Sequence, residues 1–169
     1  MNTAYSLQEG PSETPTTAEH TSDCDYVVTR AFSAPLHKVF AAWSEAALFQ
    51  RWWVPKSFGL TLLSCEMDAR MGGKYCLTFR HPESGEPLPF HGTYVAVSAP
   101  CLLSWSNDEE GGAAQITTVK FAESAGGTSV TMQERYPSKD ALDEAIATGT
   151  VCSMDEPFAQ LDELLAATT

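Results

Sequence analysis

From Gly59 to Tyr136 the chain is written largely in a period of two. The segments GLTLLSCEMD, KYCLTFRH, PFHGTYVAVSA, CLLSWSN, AQITTVKFAES and GTSVTMQERY are rich in β-branched and aromatic residues. Between them stand turn formers: Arg70-Met71-Gly72-Gly73, the proline-rich HPESGEPLP, Ala99-Pro100, DEEGG and Ala125-Gly126-Gly127. Connections this short leave no room for crossover helices, so neighbouring strands must run antiparallel. This run can fold only as a meander of about six strands.

A single sheet has an apolar face that something must cover. The cover is found at the end of the chain. In MDEPFAQLDELLAA, Phe158, Leu161, Leu164 and Leu165 form one helical stripe, while Asp155, Glu156, Asp162 and Glu163 fall mainly elsewhere. Pro157 is tolerated only in a first turn, which starts this helix near Met154 with Ser153 as its cap. Ahead of it, Ser138 is placed to cap KDALDEAIAT.

The chain before the meander also has a pattern. DYVVTRAF alternates, with Tyr26, Val28, Arg30 and Phe32 on one face. Ser33 reads as an N-cap, with Pro35 in the first turn of a helix whose stripe is Leu36, Val39, Phe40 and Trp43. Ser44 can cap a second short helix, EAALFQRWW, which Pro55 must end. The expected fold class is therefore α+β. A curved antiparallel sheet of about seven strands wraps a long C-terminal helix, with two short helices after the first strand.

At 169 residues the chain suits one domain, expected over residues 24–169. Residues 1–23 carry Ser, Thr, Pro and Glu, no Lys or Arg, and only Tyr5 and Leu7 as large apolar groups, and they read as a flexible tail. With no basic n-region and no apolar h-region, this segment is not expected to be a signal peptide, and no apolar run has the length of a membrane span. The formal net charge of −12, with ten Lys and Arg scattered along the chain, argues against nucleic acid and anionic membrane surfaces. Five cysteines without metal or redox spacing suggest a reducing, cytoplasmic setting, four of them as buried structural thiols.

His20, His37, His81 and His91 form no HxH, HExxH or His-Cys pair, so neither a metal nor a cofactor is expected. The paired glycines lack a following phosphate-binding helix, and no GxSxG motif occurs. Asp68 and Arg70 bracket a glycine turn and read as a charge pair that holds it.

Alternation nominates an interior. Tyr75, Leu77 and Phe79 share one face of their strand, Leu103 and Trp105 of theirs, and Val130, Met132 and Glu134 of theirs. With Met154 and Phe158 they make a mostly apolar lining, the composition of a ligand cavity and equally of a filled core. Glu134 ends its apolar row. It would either hold a ligand hydroxyl or act as a base inside, or pair with Arg135, Arg80 or Lys74 in water.

The ordered set RAFSAPLHKVFAAWSEAALFQRWWVP, MDARMGGKY, FHGTYVAVSAPCLLSW, GGTSVTM and FAQLDELL resembles the START-like, or SRPBCC, superfamily. Within it the chain is similar to the branch of the C-terminal domain of the activator of the heat-shock-protein-90 ATPase. The resemblance spans Asp25 to Ala167. It implies the helix-grip fold and places ALFQRWWVP at the mouth of the cup. Residues adjacent on a helix point about 100° apart, so Trp52 and Trp53 cannot serve one surface. One would pack into the core and the other would face the cavity mouth, with Phe58 behind it, unless both simply seal the end.

The resemblance implies binding of a small apolar or aromatic molecule, oriented by Tyr75, Trp105 and Glu134. Two alternatives follow from the same resemblance. One is an enzyme of the polyketide cyclase or dehydratase type using Glu134, Tyr75 and His91. The other is a co-chaperone-like protein acting through an acidic surface. An uncovered edge strand would also allow two copies to pair as a homodimer.

Overall fold

In a computed structural model of the chain, residues 16–107, 115–147 and 154–167 are described. They form an α+β helix-grip domain. Eight strands make one antiparallel sheet: β1 (Thr17–His20), β2 (Asp25–Phe32), β3 (Thr61–Met67), β4 (Lys74–Arg80), β5 (Pro87–Ser98), β6 (Leu102–Asn107), β7 (Gln115–Ser124) and β8 (Gly127–Arg135). Their spatial order is β1-β2-β8-β7-β6-β5-β4-β3. The meander from β3 to β8 thus returns to β2, and the segment between β2 and β3 must cross from one side of the sheet to the far edge. That crossing carries α1 (Leu36–Ser44), α2 (Ala46–Phe49) and a 3₁₀ turn at Lys56–Phe58. Register shifts between Leu62 and Ser64 and between Tyr94 and Ala96 add local twist.

The eighth strand comes from a segment whose composition suggests a tail. Thr17–His20 pairs with Val27–Thr29 and Tyr26 as an edge strand. Edge pairing uses backbone groups, and Thr17, Ala18 and Glu19 are exposed, so no hydrophobic pattern marks it. Residues 1–15 lie outside the described residues.

Two expected helix caps are corrected. Pro35, not Ser33, is the N-cap of α1, and no side chain bonds there. Residues 33–34 are still held to the sheet, where the Thr128 hydroxyl donates to the Ala34 carbonyl at 2.8 Å. Ser44 caps nothing; its hydroxyl turns back to the Phe40 carbonyl at 2.9 Å, and Glu45 is the N-cap of α2. The second helix is a single turn rather than EAALFQRWW, because past its C-cap Gln50 the backbone turns tighten, Arg51 and Trp52 bonding three residues back to Leu48 and Phe49. Ser138 does cap α3 (Lys139–Ala147), accepting from the Ala141 N–H at 3.1 Å. Ser153 lies outside the described residues.

The terminal helix α4 (Asp155–Ala167) fills the grip. Phe158 and Leu161 are fully buried. The Phe158 ring meets Phe32 of β2 edge-on at 5.3 Å, and Arg30 of β2 forms an ion pair with Asp162. At the other end, Tyr136, Leu142 and Ala145 make a small satellite core with Tyr26. The buried-thiol expectation changes: Cys101 is exposed and Cys24, Cys65 and Cys76 are half-buried, since Cys65 and Cys76 stand on β3 and β4 at the margin of the sheet and Cys24 and Cys101 precede β2 and β6; Cys152 lies outside the described residues. No helix among the described residues is long and apolar enough to cross a membrane.

Candidate functional site

The adjacent tryptophans separate. Trp52 is 0% exposed and its indole N–H donates to the Ala42 carbonyl at 2.9 Å, which ties the end of α2 to α1. Its ring meets Trp43 at 4.6 Å. Trp53 is half-buried, stacks on Phe49 at 4.8 Å, and lines a cavity of about 290 Å³. The two rings thus serve different surfaces, although they stand in the irregular turns after α2 rather than on the helix itself.

The cavity lies between the β3–β6 half of the sheet and the crossing segment, with Met154 contributed from just before α4. Of the residues nominated by sequence, Trp53, Phe58, Tyr75, Leu77, Phe79, Trp105, Glu134 and Met154 stand on its wall. Trp52, Met132 and Phe158 do not; all three sit in the packed core behind it. Met132 shares its face with Glu134 but is packed into the core cluster. Phe58 and Phe90 stand at the rim, 52% and 55% exposed.

Several wall residues escaped the sequence reading. Asn107 continues the row Leu103, Trp105, and Tyr94 continues the row Phe90, Gly92, so following alternation for two more residues would have found both. Trp43 and Phe49 were legible as helix-face apolar residues, but not as wall. Val54, Pro55, Leu60 and Met67 carry no pattern that would place them.

One end of this apolar space is polar. The Tyr75 hydroxyl donates to Asn107 Oδ1 and lies 3.3 Å from the Ser106 carbonyl. Asn107 Nδ2 donates to Gln115 Oε1 at 2.6 Å, and the Gln115 side chain hydrogen-bonds Glu134. The Tyr136 hydroxyl donates to Glu134 Oε2 at 3.4 Å. Side chains from β4, β6, β7 and β8 thus form one chain of contacts across the sheet. Gly92 makes room for it: a Cβ there would stand 2.6 Å from the Tyr75 hydroxyl and 1.8 Å from the Ser106 carbonyl.

Burial pushes the Glu134 carboxyl above the usual carboxylate range, against the pull of the hydrogen bonds from Tyr136 and Gln115. The water-exposed ion pair considered for it does not form with Arg135, whose guanidinium binds Asp25 at 2.8 Å, or with Lys74, whose ammonium donates to Thr93. Among the described residues no salt bridge reaches Glu134. Burial likewise raises the Tyr94 hydroxyl. Among the described residues, Trp43 Nε1 is buried with no hydrogen-bond partner. His91 is exposed on the strand face opposite Phe90 and Gly92, so the set Glu134, Tyr75 and His91 is not assembled on one wall. Asp68 and Arg70 pair at 2.8 Å in water, holding the turn where Gly72 takes φ 81°. Among the described residues no cluster of His, Cys, Asp or Glu could hold a metal.

The crossing segment is held to α4 by a side chain that the sequence did not flag. Gln160 is buried, donates to the carbonyls of Trp52 and Val54 at 2.8 and 3.0 Å, and accepts from the Lys56 N–H at 2.9 Å. Gln160→Leu strands all three backbone groups, so stability should fall by about 1–3 kcal/mol. A urea midpoint within error of the parent would show that water replaces the amide without loss.

Residues 33–166 match the family described as Activator of Hsp90 ATPase homolog 1-like protein. Solved structures share the fold. A protein from Rhodobacter sphaeroides is 23% identical with a TM-score of 0.82, over 92% of this chain and 100% of that one. Protein Ms6760 from Mycobacterium smegmatis is 26% identical with a TM-score of 0.76, over 92% and 100%. An AHSA1-like protein from Aeromonas hydrophila is 19% identical with a TM-score of 0.65, over 85% and 93%. No curated protein matches the chain significantly.

Proposed function

The chain belongs to the Activator of Hsp90 ATPase homolog 1-like family, and on this fold we propose that it binds a small apolar or aromatic molecule in the cavity between sheet, crossing segment and the start of α4. The observation that carries this reading is the division of the cavity wall. Tryptophan, phenylalanine and methionine side chains make most of it, while Tyr75, Asn107 and Glu134 converge at one end. Apolar surface supplies the affinity of such sites, and a few convergent polar groups supply orientation. A volume of about 290 Å³ lies at the small end of the ligand-site range of about 300–1,000 Å³. That favours a compact ring system over a long acyl chain. The exposed rings of Phe58 and Phe90 support entry from that side.

Tryptophan fluorescence tests the reading. Titration with small non-fluorescent apolar and aromatic compounds should give a saturable change. Trp53→Phe should remove a large part of it, with Trp43 and Trp105 supplying the remainder. In Trp52→Phe the change should persist, since that indole faces Ala42 in the core. A response lost in Trp52→Phe but kept in Trp53→Phe would sink the assignment of the wall. Absence of any saturable response would sink the binding reading.

A further inference from the structure

Resting on that reading, we propose that the ligand is an amine: a compact aromatic or alicyclic skeleton whose ammonium group pairs with Glu134 while its rings lie among the tryptophans. Three observations carry this. First, among the described residues Glu134 is the only charged side chain on the cavity wall, and no cation pairs with it. Its surroundings offer none. Its cross-strand neighbours are Tyr26 of β2 and Thr117 of β7, with Gln115 farther along β7 and Tyr136 two residues on. Tyr75 of β4 and Asn107 of β6 complete the polar end, and Met154 and the satellite core of α3 add only apolar groups. Arg135, next along β8, is held by Asp25.

Second, the two polar side chains beside Glu134 at this end, Tyr75 and Asn107, are engaged with each other and with Gln115. The Tyr75 hydroxyl is taken up by Asn107 and Ser106, and the Asn107 amide by Gln115. A carboxylate has about four lone-pair sites, and the contacts to Glu134 are those from Gln115 and a long one from Tyr136. Among the described residues at this end, the spare acceptor capacity therefore lies on Glu134.

Third, much of the remaining wall is aromatic, with Trp43, Trp53, Trp105 and Tyr94 around the space. Ring faces attract a desolvated cation and impose no comparable preference on a neutral hydroxyl. The whole chain, at −12, also draws cations towards it. Burying an ionised carboxylate in an apolar wall is costly unless a counter-charge arrives with it. Burial disfavours the ionised form of the Glu134 carboxyl, and an arriving ammonium favours that form.

Three probes on one skeleton test this by calorimetry on the full chain: 1-naphthylmethylamine, 1-naphthylmethanol and 1-methylnaphthalene. At pH 7.5 the amine should bind at least about tenfold tighter than either neutral probe, the scale of one charge-assisted contact of about 1.4 kcal/mol or more. Its advantage should shrink as pH falls and Glu134 takes up its proton, and should disappear in Glu134→Gln. An alcohol that binds as tightly as the amine, or an amine advantage that survives Glu134→Gln, would overturn the amine assignment. Binding of methylnaphthalene in either case leaves the cavity reading standing. If none of the three binds the parent protein, the cavity reading falls with it. Should Glu134→Gln fail to fold, the amine-to-alcohol ratio and its pH dependence in the parent protein still decide the question.

Discussion

Phe158→Ala lowers the stability of the fold by about 3–5 kcal/mol, the usual cost of removing a fully buried aromatic ring. At about 2–4 °C per kcal/mol for a chain of this size, the melting temperature drops by roughly 6–20 °C. The reason is the position of Phe158. It is 0% exposed in the first turns of α4, edge-on to Phe32 at 5.3 Å and to Trp43 at 6.3 Å. The guanidinium of Arg30 also lies 5.9 Å from its ring. Removing the ring opens a void where helix, sheet and crossing segment meet, and rings as large as Trp43 and Trp52 have little freedom to refill it. Urea and thermal melts measure the effect. A loss under about 1 kcal/mol would mean that α4 is seated elsewhere than against β2 and α1.

The ion pair between β2 and α4 should answer asymmetrically. The side chain of Arg30 is 9% exposed and that of Asp162 is 43% exposed. Burial raises the Asp162 carboxyl even though Arg30 stands beside it, so desolvation outweighs attraction on the acid side. Asp162→Ala leaves a buried guanidinium without its carboxylate. That should cost about 3 kcal/mol, the lower end of the range for breaking a buried pair, because one partner is open to water. Arg30→Met removes the buried charge and fills the space between Phe32 and Phe158 with an apolar chain. It should change stability by less than about 1 kcal/mol, or raise it. The double variant Arg30→Met, Asp162→Ala should recover most of the loss seen in Asp162→Ala alone. Equal losses in the two single variants would sink the asymmetry.

The meander was legible because alternation and turn chemistry are local. Seven strands and α4 could be read from residue order alone. β1 could not, since edge pairing involves backbone and leaves no apolar signature at Thr17–His20. Misplaced caps at Ser33 and Ser44 have a common cause. A serine before a helical stripe is a good local signal, but here both segments are committed to other contacts. The wall was legible in part: alternation brought Tyr75, Leu77, Phe79, Trp105 and Glu134 to one face. It could not say where that face is packed and where it is open, and Met132 and Phe158 fall in core rather than cavity.

The sequence by itself determined seven of the eight strands, the antiparallel run of the last six, the helix that covers them, and the inward side of β4, β6 and β8. These follow from periods of two and 3.6 residues and from turn residues, which act over a few positions. Only the tertiary structure decided where the interior is filled and where it is open, and which residues close it. Gln160 holding Trp52, Val54 and Lys56, and Gln115 linking Asn107 to Glu134, join groups distant in sequence. No local pattern encodes such pairs, because they depend on how a curved sheet brings its far strands towards one helix.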